Sequence, residues 1–144
     1  MNVPARTRRS ASTRPPIVLS RSDRAILERV AVEGLLHAPR VAGALLDEIQ
    51  RAQVIGDDEV GADVVRIGSR VTFREEPSAE LRTARLVAAG QDRRGADDVP
   101  VLTSLGAALV GLRVGQSILW PDRVGGERLL TIVGLRQPPA LDFP

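Results

Sequence analysis

An α+β chain is what this sequence predicts: an N-terminal antiparallel helical hairpin, then a small, mainly antiparallel sheet with one packed helix. Three observations predict it. Apolar residues recur at helical spacing through residues 22–55, with a proline-marked break in the middle. After the polar joint GDDEVG (56–61) the pattern changes to period two. The stretch Thr103–Trp120, TSLGAALVGLRVGQSILW, reads as a helix, a glycine-marked stop and a strand in one run.

Taken in order, residues 1–16 are rich in Arg, Ser, Thr and Pro and read as a disordered tail. Ile17–Leu19 is a short apolar lead-in. Ser20 with Asp23 forms a capping box that starts a helix over 22–36, with Ile26, Leu27, Val30, Ala31 and Leu35 as its stripe. His37, Ala38, Pro39 and Arg40 interrupt it. Pro39 suits the first turn of a second helix, predicted over 39–55, with Val41, Leu45, Ile49 and Ala52 along one face. The stripes are narrow, as in a short coiled coil. Two helices of about 15 residues would project on the order of 20 Å.

Beyond residue 61 the strands are predicted at 69–74, 81–88, 99–102, 116–120 and 128–135. A hairpin loop falls at 75–80, a charged loop at 90–98 and a turn at 121–127. In the central unit Ser104 is the expected N-cap, and Leu105, Ala108, Leu109 and Leu112 form the apolar face. Gly111 and Gly115 mark its exit. Leu105, Leu109, Leu112, Ile118 and Trp120 are the expected packing residues. The domain reading is a tail over 1–16, the hairpin over 17–56, the sheet domain over 57–138 and a loose tail over 139–144.

Composition excludes several function classes. All 20 basic residues are Arg. Without Lys there is no Schiff-base chemistry and no P-loop. Without Cys there is no disulfide, thiolate nucleophile or Cys-ligated zinc. Two Phe, one Trp and no Tyr argue against base-stacking platforms and aromatic prolyl pockets. Four of the 20 Arg lie in residues 1–16, which leaves 16 against 18 acids elsewhere. That balance is not the footprint of a dedicated duplex-DNA binder. No apolar run reaches membrane-spanning length, and the Arg-bearing N-terminus lacks the apolar region of a secretory signal.

Catalytic sets are equally scarce. His37 is alone in a turn, with neither an orienting partner nor a nucleophile. The acidic runs Asp57–Glu59 and Asp97–Asp98 lack the alternation of a calcium loop and read as solvated loops. Gly125–Gly126 has no following helix and reads as a hairpin turn.

The segments LGAALVGLRVGQSILW (105–120) and RLLTIVGL (128–135) flank the Gly-Gly turn. RAQVI (51–55), DVV (63–65) and SRVTFR (69–74) precede them in order. Together they resemble the bacterial GreA/GreB transcript-cleavage factor family, most closely its Rnk (regulator of nucleoside diphosphate kinase) branch. The resemblance spans residues 16–138. It implies an FKBP-like sheet-and-helix domain that docks on RNA polymerase at the rim of the secondary channel. In the cleavage factors a long hairpin carries acidic residues to the active centre, where they help hold Mg²⁺.

This sequence departs from that pattern. Its tip, GLLHAPRVAG (34–43), carries no acid; Glu33 and Asp47 are nearest. Ser104 stands where the Rnk-like motif has Pro, and Gln116 where it has Asp. The expectation is therefore a non-catalytic, polymerase-binding regulator that competes with Gre-type factors and influences nucleoside diphosphate kinase levels. It is expected to be cytoplasmic and monomeric, with no membrane contact, no cofactor, and no catalytic or metal-binding residue. Arg70, Arg74, Arg82, Arg113 and Gln116 are the candidate docking residues, with His37, Pro39 and Arg40 at the tip. The alternatives are an active cleavage factor, and a nucleic-acid-binding module that works weakly and non-specifically through the Arg tail.

Overall fold

In the computed structural model, which describes residues 15–121 and 126–138, the first helix starts where the sequence places its cap. Ser20 Oγ accepts the Asp23 N–H at 3.0 Å and opens α1 (Arg21–Gly34). The box is only half made. The Asp23 carboxylate does not return to Ser20; it accepts the Ile67 N–H at 3.0 Å, across to the sheet domain. The expectations for residues 1–14 of the tail, for residues 122–125 of the turn at 121–127 and for the tail over 139–144 lie outside the described residues. Pro15 and Pro16, which the sequence assigns to the disordered tail, are instead held by the fold: Pro15 is buried and its carbonyl accepts from Arg51 Nη1 at 2.7 Å.

Pro39 opens α2 (Pro39–Arg51) as expected, but α2 ends four residues earlier than predicted. Gln53–Ile55 is a strand, β2, paired in parallel with β1 (Val18–Ser20), the apolar lead-in. The chain thus enters and leaves the hairpin through two neighbouring strands. Val18 N–H also donates to Gly111 O at 3.1 Å, which ties this clasp to the sheet domain.

The hairpin does not project free. Leu27, Ala31, Leu45 and Ile49 belong to the same buried cluster as Val71, Phe73, Leu109 and Ile132. Gly34 shows how close the approach is: a Cβ there would lie 2.5 Å from Leu102 Cδ2. The stripe is correspondingly shifted. Leu27, Ala31 and Gly34 are its buried positions, while Leu35 is 42% exposed.

The main sheet has five strands in the order β5-β4-β3-β7-β6. They are β3 (Arg70–Glu76), β4 (Glu80–Val87), β5 (Asp98–Pro100), β6 (Ser117–Pro121) and β7 (Glu127–Arg136). All neighbours are antiparallel except β4 and β5. Alternation works as read: Val71, Phe73, Leu130 and Ile132 are fully buried on the inner face. The register shifts between Thr72 and Phe73, which pair with Gly134 and Ile132, so Val133 is the extra residue of a bulge in β7. Segment 63–65 adds a short rail, with Val65 N–H donating to Leu112 O at 2.8 Å.

The packed helix is α3 (Ser104–Leu109), shorter than the stripe suggested. Its cap is Thr103, not Ser104. Thr103 Oγ1 accepts the Gly106 N–H at 2.9 Å and donates to Pro100 O at 2.7 Å. Thr103 is preferred because its backbone is extended, φ −141° and ψ 162°, whereas Ser104 is already helical. Leu109, Leu112 and Ile118 are buried as predicted; Leu105 and Trp120 are partly so. Gly111 and Gly115 both take positive φ, +82° and +95°.

Candidate docking surfaces

The hairpin tip is apolar. Val32, Leu35 and Leu36 are 57%, 42% and 87% exposed. His37 and Pro39 are exposed beside them, and the His37 and Ala38 N–H groups both donate to Gly34 O, closing the turn. Arg40 is exposed at the start of α2 and lines a 290 Å³ cleft between α2, α3 and β6. Val41, Ala44, Ala107, Ala108 and Trp120 give that cleft its apolar walls, and Glu48 and Ser104 give it polarity. The Trp120 Nε1 is buried there without a hydrogen-bond partner among the described residues. The sequence marked Trp120 only as a packing residue.

The five residues read as one docking set fall on separate surfaces. Arg70 and Arg74 are on the outer face of β3, away from α3. Arg74 is spoken for, its Nε donating to Glu76 Oε2 at 2.8 Å. Arg82 lies on the inner face, opposite Phe73, with its guanidinium 5.5 Å from the ring centroid. Its Nη1 donates to Glu75 Oε2 at 3.2 Å, and Arg128 approaches the same carboxylate at 3.9 Å. Glu75 is only 4% exposed, so Arg82 and Arg128 neutralise a charge that burial would otherwise penalise. Arg113 and Gln116 sit in the turn after α3. Gln116 Oε1 accepts the Arg113 N–H at 2.9 Å, and its Nε2 donates to Pro16 O at 3.3 Å. Gln116 therefore holds the base of the hairpin.

The acidic runs are not simply solvated. Asp57 caps α1 from 35 residues away, accepting the Ser22 N–H at 3.0 Å and the Ser22 hydroxyl. Those two hydrogen bonds lower its pKa. Asp98 is 5% exposed and is gripped by Arg85 Nε at 2.9 Å and Nη2 at 2.6 Å. With the Arg94 N–H donating at 2.7 Å as well, its carboxyl is held down to about 2. Asp23 moves the other way: burial raises its pKa, against the lowering by the Ile67 N–H. Among the described residues no three His, Cys, Asp or Glu side chains converge as a metal site would need.

Residues 59–137 match the family model for "Transcription elongation factor, GreA/GreB, C-term". The chain belongs to the GreA/GreB family. A "Regulator of nucleoside diphosphate kinase" from Escherichia coli (strain K12) is 36% identical over 132 residues, covering 88% of this chain and 93% of that protein. A GreA from Rhodospirillum rubrum is 36% identical over 74 residues, covering 51% of this chain and 47% of that one. Among solved structures, a GreA/GreB elongation factor from Nitrosomonas europaea superposes with a TM-score of 0.64 at 32% identity. That match covers 85% of this chain and 98% of the other. This GreA/GreB member therefore matches the regulator over nearly its full length and the R. rubrum GreA over about half of each chain. No helix among its described residues is long and apolar enough to cross a membrane.

Proposed function

We propose that this chain is a non-catalytic regulator of transcription that binds core RNA polymerase. Its FKBP-like sheet domain docks at the rim of the secondary channel, and its hairpin occupies the entrance and competes with longer Gre-type factors. One observation carries the reading: the hairpin lies against the sheet domain, with its tip at Leu102, and the tip is apolar and free of carboxylates. Helix α1 has 14 residues, so it is only about 21 Å long even if fully extended from its base. Holding a second metal at a polymerase active centre needs carboxylates at the point of contact. Glu33 is the nearest on α1, and Asp47 lies on the other helix. The similarity to a regulator of nucleoside diphosphate kinase supports the same reading, with any effect on that enzyme's level arising through transcription.

The test is competition on purified core polymerase. Full-length protein is expected to be retained by polymerase at low salt and to displace a Gre-type cleavage factor, lowering RNA cleavage in stalled complexes without stimulating any itself. Stimulated cleavage by this protein alone would show it to be an active cleavage factor. Absence of both retention and competition would overturn polymerase binding.

A further inference from the structure

On the outer face of the sheet, strand register stacks three arginines side by side. Arg70 of β3 is directly opposite Arg85 of β4 on one side and Arg136 of β7 on the other. Partners in register project from the same face, and neighbouring strands lie about 4.8 Å apart, so the row spans about 10 Å. Arg85 is neutralised by Asp98. Arg70 and Arg136 are exposed and have no acidic partner among the described residues. Like charges directly opposite each other in a sheet are destabilising, so the pairing of Arg70 with Arg136 costs the fold something. The next rung carries only hydroxyls, Thr72 against Thr83. The acid on β3's outer phase, Glu76, is at the far end and is bonded to Arg74.

We propose that this face, centred on Arg70 and Arg136, binds the phosphate backbone of duplex nucleic acid without sequence preference. Guanidinium forks suit phosphate oxygens, which they engage in bidentate fashion. Single strands are held mainly by aromatic stacking, and among the described residues this face has no aromatic side chain: Phe73 lies on the inner face and Trp120 lines the α2–α3 cleft. The surface is distinct from the hairpin and from α3. Its contribution is local and salt-sensitive, which suits a chain whose overall charge is only +2.

The experiment is fluorescence anisotropy with a labelled mixed-sequence duplex across a salt series, comparing full-length wild type with Arg70→Ser/Arg136→Ser. Arg21→Ser/Arg29→Ser, at two exposed positions of α1, is the charge-matched control. The tail is identical in all three, so its effect cancels. Losing two duplex phosphate contacts should lower the slope of log K against log salt by about 1.8, and each single variant by about 0.9. The control should keep the wild-type slope, and the thermal midpoint of the double variant should equal or exceed wild type. The single variants keep the test decisive if the double variant folds poorly. Equal losses in the double variant and the control would reduce the effect to net charge and overturn the proposal. No duplex binding by wild type, or tighter binding to the same sequence as a single strand, would overturn it too. Duplex binding that survives in the double variant while binding to an acidic protein is lost would reassign the face to a protein partner.

Discussion

Asp23 and Asp98 are two buried carboxylates that respond to pH in opposite directions. Asp98 has its pKa lowered from 3.8 to about 2 by Arg85 and the Arg94 N–H. The stability it contributes is present above its unfolded pKa and is lost as pH falls from about 4 towards 2. Urea midpoints measured from pH 7 to pH 2.5 should show a steep acid limb in wild type and a flatter one in Asp98→Asn. Asp23 is raised above 3.8 by desolvation, so its contribution is fullest below that pH and is lost as pH rises through the folded value. Asp23→Asn keeps an acceptor for the Ile67 N–H and removes the buried charge, so its neutral-pH midpoint should match or exceed wild type. Asp23→Ala orphans that N–H and should cost about 1–3 kcal/mol. Equal midpoints for Asn and Ala would mean the hydrogen bond does not matter. The sequence showed Asp23 only as a capping-box residue. Its true partner is 44 positions away, a distance no local motif encodes.

The elements were legible where local pattern and tertiary packing agree. The alternation of β3, the Pro39 start of α2 and the glycine exit of α3 all came through. Gln53–Ile55 did not, because three residues extend a helical stripe as readily as they make a strand. Only pairing with Val18–Ser20 decides the matter. The arginine row was invisible for the same reason: Arg70, Arg85 and Arg136 become neighbours through register alone. At this scale two glycines make opposite predictions. A Cβ on Gly106 would sit 2.8 Å from Val101 Cα and closer still to the Pro100 carbonyl, backbone that cannot yield. Gly106→Ala should therefore cost about 3 kcal/mol or more, by strain of the kind overpacking brings. Gly43 lies within α2 with nothing near its missing Cβ. Gly43→Ala should stabilise by about 0.5–1 kcal/mol, the helix-propensity gain. Chemical denaturation of both variants checks the pair, and a destabilised Gly43→Ala would contradict the open space beside α2.

At the scale of the whole molecule, one buried cluster joins hairpin and sheet, so the two should unfold together. Trp120, the single Trp, reports on β6, and far-UV circular dichroism reports mainly on α1 and α2. The two urea transitions should coincide. Leu45→Ala, a fully buried change in the hairpin, should lower both by the same 2–5 kcal/mol or so. A fluorescence transition that ignored Leu45→Ala would mean that the helices melt independently. The pairing of β1 with β2 has a further consequence. Since both ends of the hairpin meet as adjacent strands, the arm is a closed cassette mounted on a fixed socket. Helical turns added in equal number at the tip would leave the socket unaltered. Length, and with it how far an arm extends past Leu102, can therefore drift between relatives while the mounting stays the same.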